Sequence, residues 1–215
     1  MCGIIGYYSN EVTNNDLEVL KKVMIESGIR GRHASGAAWF DGHKICSIIK
    51  PIPIDELVDC IDFTKLLYDK SKISFIAHAR YCTSDIEYNQ PIVSKTLAVV
   101  HNGVVSQEPH ETWELTYGYK CSGKNDSELI LRAIENGDNP LDKFPNASIA
   151  SIVLSNSGNI KHFRNARRPM WTGRIGKGVV IASTYDILKR ARVRDIHKVE
   201  VENDLQKRDN TQWKI

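Results

Sequence analysis

The sequence predicts a single α+β domain in which helices cover buried β-sheets, and three features carry that reading. Residues 73–77, 96–100 and 179–182 are short runs that are apolar without alternation, the pattern of strands covered on both faces. Between the strands lie segments with apolar residues at helical spacing, so the chain mixes both kinds of element. The 215 residues are 41% hydrophobic and 26% charged, enough for one sizeable core. No internal repeat, low-complexity linker or composition shift marks a boundary, so residues 1–215 read as one domain.

Taken in order, residues 1–8 form a short apolar strand. Residues 16–27 predict a helix, because Leu17, Leu20 and Met24 fall at i, i+3 and i+7. Asn14, Asn15 or Asp16 is its expected cap and Gly28 its stop. Residues 36–40 and 44–49 flank Asp41-Gly42, a strong hairpin signal. Residues 55–68 predict a second helix with Leu57, Ile61 and Leu66 inward. Residues 73–77 are a strand, and residues 96–100 are its expected neighbour. Residues 125–134 predict a helix through Leu129, Ile130 and Ala133. Residues 148–154 and 159–163 form a hairpin around residues 155–158. A strand at 179–182, a short helix at 185–191 and a last strand at 197–201 complete the chain. Gly173 and Gly176-Lys177-Gly178 lack the spacing of a phosphate-binding loop and read as a loop between strands.

Composition removes several function classes. The chain is too apolar and too evenly mixed for disorder, collagen or a coiled coil. No run approaches the roughly 18 apolar residues of a membrane span, and Met1 leads straight into Cys-Gly-Ile-Ile-Gly with no signal-peptide pattern. A soluble, cytoplasmic protein is expected. The net charge is +3, with a basic stretch between Lys161 and Lys198. That stretch is either a solvated, charge-mixed face or a docking surface for an acidic partner, and a nucleic-acid partner is not favoured. The five cysteines, Cys2, Cys46, Cys60, Cys82 and Cys121, are odd in number and contain no C-x-x-C pair. This argues against a disulfide framework and against a zinc site. No metal cluster or nucleotide fingerprint is present, so no cofactor is expected.

Cys2 is the outstanding position. A methionine before a small residue is commonly trimmed, which would leave a thiol and a free α-amine on one residue. Such an amine has a pKa of about 7.7–8.0, so it can act as base for its own nucleophile. Gly3 beside it allows a substrate to approach closely. Alone, a cysteine here is more often a small buried apolar residue. Other segments change the balance. Arg30-Gly31-Arg32-His33-Ala34-Ser35-Gly36 is a turn before a strand. His78-Ala79-Arg80-Tyr81-Cys82-Thr83-Ser84 and His101-Asn102-Gly103 each follow an apolar strand. Asn125-Asp126-Ser127-Glu128 opens a helix.

In this order, the segments resemble the class II glutamine amidotransferase domain, an N-terminal-nucleophile hydrolase, over about residues 2–195. The resemblance extends through Pro169 and Ile181-Ala182-Ser183. It implies a four-layer αββα sandwich and a stand-alone glutaminase that releases ammonia from L-glutamine. It implies Cys2 as nucleophile, forming a thioester. The Asn102 side-chain amide and the Gly103 N–H become the donors to the tetrahedral oxyanion. Arg80, helped by Thr83, takes the substrate α-carboxylate in a two-point fork. Asp126 takes the α-ammonium, and Arg30 joins the site. A chain of this length leaves no room for a synthase domain, so a synthase partner chain is expected to receive the ammonia.

The alternatives are specific. Arg80 could be a structural ion-pair residue, Asn102-Gly103 an ordinary turn, and Asp126 a helix cap only. His78 and His101 read as scaffold histidines, each donating one N–H to a backbone oxygen. Two departures stand out: His33 replaces the aspartate usual in the family turn, and Ser84 stands where some members have histidine. A hydrolase of another γ-glutamyl amide, or a non-catalytic regulatory subunit, are the competing functions.

Overall fold

In the computed structural model, residues 2–81 and 87–201 are described. Among the described residues, eleven strands form two antiparallel sheets. The first has seven strands, in the order β11-β9-β10-β1-β4-β2-β3. These are β1 (Gly3–Ser9), β2 (Ala34–Phe40), β3 (Ile45–Lys50), β4 (Ile73–Arg80), β9 (Trp171–Ile175), β10 (Gly178–Ala182) and β11 (Arg194–Lys198). The second has four, in the order β5-β6-β7-β8: β5 (Ile92–Val93), β6 (Leu97–His101), β7 (Ala150–Ser155) and β8 (Ile160–Arg164). Helices α1 (Asn14–Ser27), α2 (Ile54–Asp59) and α6 (Tyr185–Arg190) contribute to the core on the first sheet. Helices α3 (Trp113–Tyr117), α4 (Ser127–Glu135) and α5 (Pro140–Lys143) contribute residues to the core on the second.

Strand alternation explains the layering. On β1, Ile5 and Tyr7 pack with Leu20, Val23 and Met24 of α1, whereas Ile4 packs with Ile152 and Val100 of the second sheet. On β4, Phe75 and Ala77 face the helices while Ile76 faces the other sheet. On β6, Val99 packs with Leu129 and Ile130 of α4, and Ala98 and Val100 face the first sheet. Both faces of both sheets are thus apolar, which is why the strands read as continuous runs. Each fully buried aliphatic side chain in these layers contributes about 1.5–3 kcal/mol. The αββα sandwich is the expected architecture.

Five local expectations need correction. The cap of α1 is Thr13, whose hydroxyl accepts from Asp16 N at 3.3 Å while Asp16 Oδ2 accepts from Thr13 N at 2.9 Å; Asp16 is the reciprocal partner in a capping box. The helix expected over 55–68 splits into α2 and a 3₁₀ turn at Phe63–Leu66, because the Asp62 side chain accepts from Thr64 N and starts a new turn. The strand at 96–100 does not pair with the one at 73–77: β4 lies between β1 and β2, and β6 between β5 and β7. Gly173 lies within β9, where the apolar Trp171 and Ile175 pack on the helix-side core. The last strand is Arg194–Lys198, earlier than expected.

Among the described residues no helix is long and apolar enough to cross a membrane. Cys2, Cys46, Cys60 and Cys121 are free, and no group of three or more His, Cys, Asp or Glu side chains among the described residues could hold a metal. Part of the basic stretch is spent internally: Arg164 is buried and donates to the carbonyls of Val199, Asn165 and Arg168.

Candidate active site

The antiparallel register gathers the motifs at one rim of the sandwich. Gly3 pairs with Ala79 and Ala34 with Arg80, so the start of β1, the start of β2 and the end of β4 coincide. In the second sheet, His101 at the end of β6 pairs with Ser151 near the start of β7. Alternation then sets direction. Ile4 and Ile76 face the gap between the sheets, so Cys2, His78 and Arg80 share that side; Val100 does likewise, so Asn102 faces it from the other sheet. Beyond the last apolar pair the gap opens into a cleft of about 500 Å³. Cys2, His78, Arg80, Gly103 and Asp126 line it.

Cys2 is half-buried, and its Sγ lies 3.9 Å from the Tyr81 carbonyl oxygen. Arg30 Nε donates to the Cys2 carbonyl at 3.4 Å. Arg30 reaches this position from a 3₁₀ turn after α1. The next residue is Gly31 for a steric reason: a Cβ there would lie 2.2 Å from the Arg80 carbonyl carbon. The backbone N–H of His33 donates to Arg80 O at 3.0 Å, and the His33 ring packs on Tyr81 with centroids 5.0 Å apart. Arg30 and Tyr81 also line a second groove, of about 520 Å³.

Asn102 extends the β6–β7 ladder by one step. Its N–H donates to Ala150 O at 2.9 Å, and Ala150 N–H donates to Asn102 O at 3.2 Å. Its side-chain Nδ2 is buried and has no hydrogen-bond partner among the described residues. Gly103 follows with φ of +158°, and a Cβ there would lie 1.7 Å from Ser148 O. No other residue fits that approach. The Asn102-Gly103 pair is therefore no ordinary turn.

Arg80 is buried and holds residues 88 and 89, donating from Nη1 to the Tyr88 carbonyl and to Asn89 Oδ1, the latter at 2.7 Å. Asn125 Nδ2 donates to the same Tyr88 carbonyl at 2.8 Å. Asp126 precedes α4 but its side chain does not cap the helix. Instead Asn125 Oδ1 accepts from Ser127 N at 3.0 Å, and Asp126 Oδ2 accepts from Val105 N at 2.6 Å and Ser106 N at 3.3 Å. Thr83, Cys82 and Ser84 lie outside the described residues.

The two histidines differ from each other. His101 has the scaffold role: its ring contacts Ser127 Oγ at 2.9 Å and Ser148 O at 3.1 Å. His78 is fully buried, and neither ring nitrogen has a partner among the described residues. Burial first, then the nearby Arg80 and His101, push its pKa down to about 3. Burial also lowers the pKa of His101, opposed by Asp126 and the Ser148 carbonyl. Sequence reasoning missed Gln90, Asn89 and Asn125. Their roles depend on residues 88–90 lying against Arg80, His101 and Ser127, and no periodicity reports that.

Comparison with known proteins bears on the fold and the family. No protein-family model matches the chain. A glutamine–fructose-6-phosphate aminotransferase (isomerizing) from Buchnera aphidicola subsp. Baizongia pistaciae is 30% identical over 165 residues, 74% of this chain and 26% of that protein. The enzyme of the same name from Sulfolobus acidocaldarius is 28% identical over 141 residues, 63% of this chain and 23% of that one. The chain thus spans about a quarter of these relatives. Among solved structures, an allosteric regulatory enzyme of purine biosynthesis superposes with a TM-score of 0.72 at 20% identity, covering 93% of this chain and 45% of that one. The glutamine phosphoribosylpyrophosphate amidotransferase of B. subtilis gives 0.64 at 21% identity, over 93% and 46%. The fold is that of the N-terminal-nucleophile hydrolases, and over most of its length the chain is a distant homologue of the class II glutamine amidotransferase domains.

Proposed function

We propose that the chain hydrolyses the side-chain amide of L-glutamine to glutamate and ammonia through a thioester on Cys2, and that the ammonia passes to a synthase on another chain. One observation carries the reading: a cleft lined by Cys2, Arg80 and Asp126 adjoins an asparagine whose buried side-chain amide N–H group has no partner among the described residues. A buried unpaired donor costs about 1–3 kcal/mol, and an oxyanion formed beside it would recover that cost in the transition state.

In this mechanism removal of Met1 frees the Cys2 α-amine, which takes the thiol proton. The thiolate attacks the amide carbon, and the negative charge moves to the amide oxygen. Asn102 Nδ2–H and Gly103 N–H donate to that oxygen. The ammonium of Cys2 returns its proton to the leaving nitrogen, ammonia departs, and water hydrolyses the thioester. Arg80, with Thr83, holds the α-carboxylate and Asp126 the α-ammonium, so the whole amino acid is recognised. Arg30 holds the Cys2 carbonyl and fixes the nucleophile's backbone. The His78 imidazole stays neutral and takes no proton in the cycle.

The test is glutamate release from glutamine by wild-type and Cys2→Ala protein, each checked by mass spectrometry for loss of Met1. Activity is expected only in the trimmed wild type. Full activity in the variant, or in protein that retains Met1, would overturn the mechanism. Assay with and without proteins co-purified from the native cell tests the acceptor chain.

A further inference from the structure

His101, Gln90 and Ser127 are buried together beside the cleft, and their hydrogen bonds close on themselves. The polarity of each bond follows from elementary chemistry. His101 Nε2 lies 3.1 Å from the Ser148 carbonyl oxygen, which can only accept, so Nε2 carries the proton. The buried ring is neutral, so Nδ1 is bare and accepts. Its neighbour at 2.9 Å is Ser127 Oγ, whose O–H must then donate. That hydroxyl has lone pairs left, and Gln90 Nε2 donates to it at 2.9 Å. The other end of the same amide, Gln90 Oε1, accepts from the backbone N–H of His101 at 2.6 Å. Turning the Gln90 amide over would set its NH₂ against that N–H, donor against donor. Every member therefore has one orientation.

The ring of bonds encloses the residue immediately before Asn102 and Gly103. It ties that residue to two other segments. Ser127 is the first residue of α4, next to Asp126. Gln90 follows Tyr88 and Asn89, which Arg80 holds. On the far side, Ser148 holds Val104 through both its carbonyl and its hydroxyl, each at 3.0 Å. The strand end carrying Asn102 is thus clamped from both directions.

We propose that Gln90, Ser127 and His101 form a directional hydrogen-bond circuit that positions the Asn102 and Gly103 donors for the transition state, making Ser127 and Gln90 positioning residues. The proposal rests on the glutaminase reading above for its kinetic consequence, but the circuit itself can be observed without any activity.

The experiment uses Ser127→Ala, Ser127→Thr and Gln90→Glu in the full chain, with glutamine as substrate. Ser127→Ala removes the donor to Nδ1; kcat is expected to fall about tenfold or more, with KM changed less than about threefold, because the misplaced donors act on the transition state. Ser127→Thr keeps the hydroxyl and should restore most of kcat. Gln90→Glu keeps the acceptor for His101 N–H but loses the donor to Ser127, and should lower kcat in the same direction. ¹⁵N spectra should show a neutral, Nε2-protonated His101 in the wild type and a displaced Nδ1 signal in Ser127→Ala. An unchanged His101 ring signal in Ser127→Ala would overturn the circuit, whatever the activity. A rise in KM at unchanged kcat, or no recovery in Ser127→Thr, would also overturn it. A wild-type chain that releases no glutamate would sink the glutaminase reading alone, leaving the circuit to the spectra; if Ser127→Ala does not fold, Gln90→Glu carries both readouts.

Discussion

Arg30 Nε lies 3.4 Å from the Cys2 carbonyl oxygen and donates to it, while its Nη2 is buried without a partner among the described residues. Burial holds this guanidinium below its ordinary pKa, with Cys2 opposing and Arg168 reinforcing the effect. A costly cation is thus kept against the backbone of Cys2. Arg30→Ala should cut glutamate release about tenfold or more through loss of positioning. Its effect on stability should stay near about 1 kcal/mol, the net worth of one hydrogen bond. Steady-state kinetics beside urea unfolding separates the two effects, and wild-type kinetics in Arg30→Ala would remove Arg30 from the site.

Asp126 holds the loop N–H groups of Val105 and Ser106, and the proposed function adds a second task, the substrate ammonium. Asn at this position still offers an oxygen to Val105 N and Ser106 N but loses the charge that would meet an ammonium group. Asp126→Asn should therefore raise KM for glutamine with little change in unfolding midpoint. Asp126→Ala should raise KM and also destabilise by about 1–3 kcal/mol, because two loop N–H groups lose their acceptor. Equal KM values in wild type and Asp126→Asn would reduce Asp126 to a loop anchor.

Gly103→Ala should be the most severe single change at the rim. The added methyl would lie 1.7 Å from Ser148 O, so the β6 end and the 148–150 segment must separate. A loss of about 3 kcal/mol or more is expected, together with loss of activity. Calorimetry on the purified variant tests this, and a wild-type melting temperature would contradict the geometry.

The buried histidines set an acid limit on stability. His78 has a pKa of about 3 in the folded protein against 6.5 in the ordinary state. Between these values the unfolded chain binds a proton that the folded chain does not. Stability is therefore fully present above about pH 6.5 and falls as pH drops toward 3, by up to about 1.4 kcal/mol per pH unit for one such group. The lowered pKa of His101 acts in the same direction. Urea midpoints measured from pH 7 to pH 4 should fall, and His78→Leu should flatten that slope. An identical slope in the variant would assign the acid sensitivity elsewhere.

The strands were legible where both faces are buried, as at residues 73–77, because continuous apolar runs need no partner to be recognised. Their pairing was not: β4 lies between β1 and β2, and the other neighbour of β1 is β10, where Tyr8 pairs with Val179, a partner that no local pattern reports. Thr13 was missed as a cap because the choice among adjacent polar residues turns on the reciprocal bond with Asp16. In the candidate site, Cys2, Arg80, Asn102 and Asp126 could be named from the resemblance their motifs carry, and antiparallel pairing brings those element ends to one rim. Gln90 could not, since its partners, His101 and Ser127, are 11 and 37 residues away and share no pattern with it.

The same pairing that collects one set of strand ends sends the opposite turns far from the cleft. Trp39 pairs with Phe75 and Leu154 with Ile160, so the hairpin at residues 41–44 and the turn at 155–159 belong to the other rim, where Ser74 Oγ donates to Gly158 O at 2.6 Å. His43, exposed in the first of these turns, is consequently a place to attach a fluorophore or an affinity handle: the molecule can be tethered by its tail end with its mouth left open to solution.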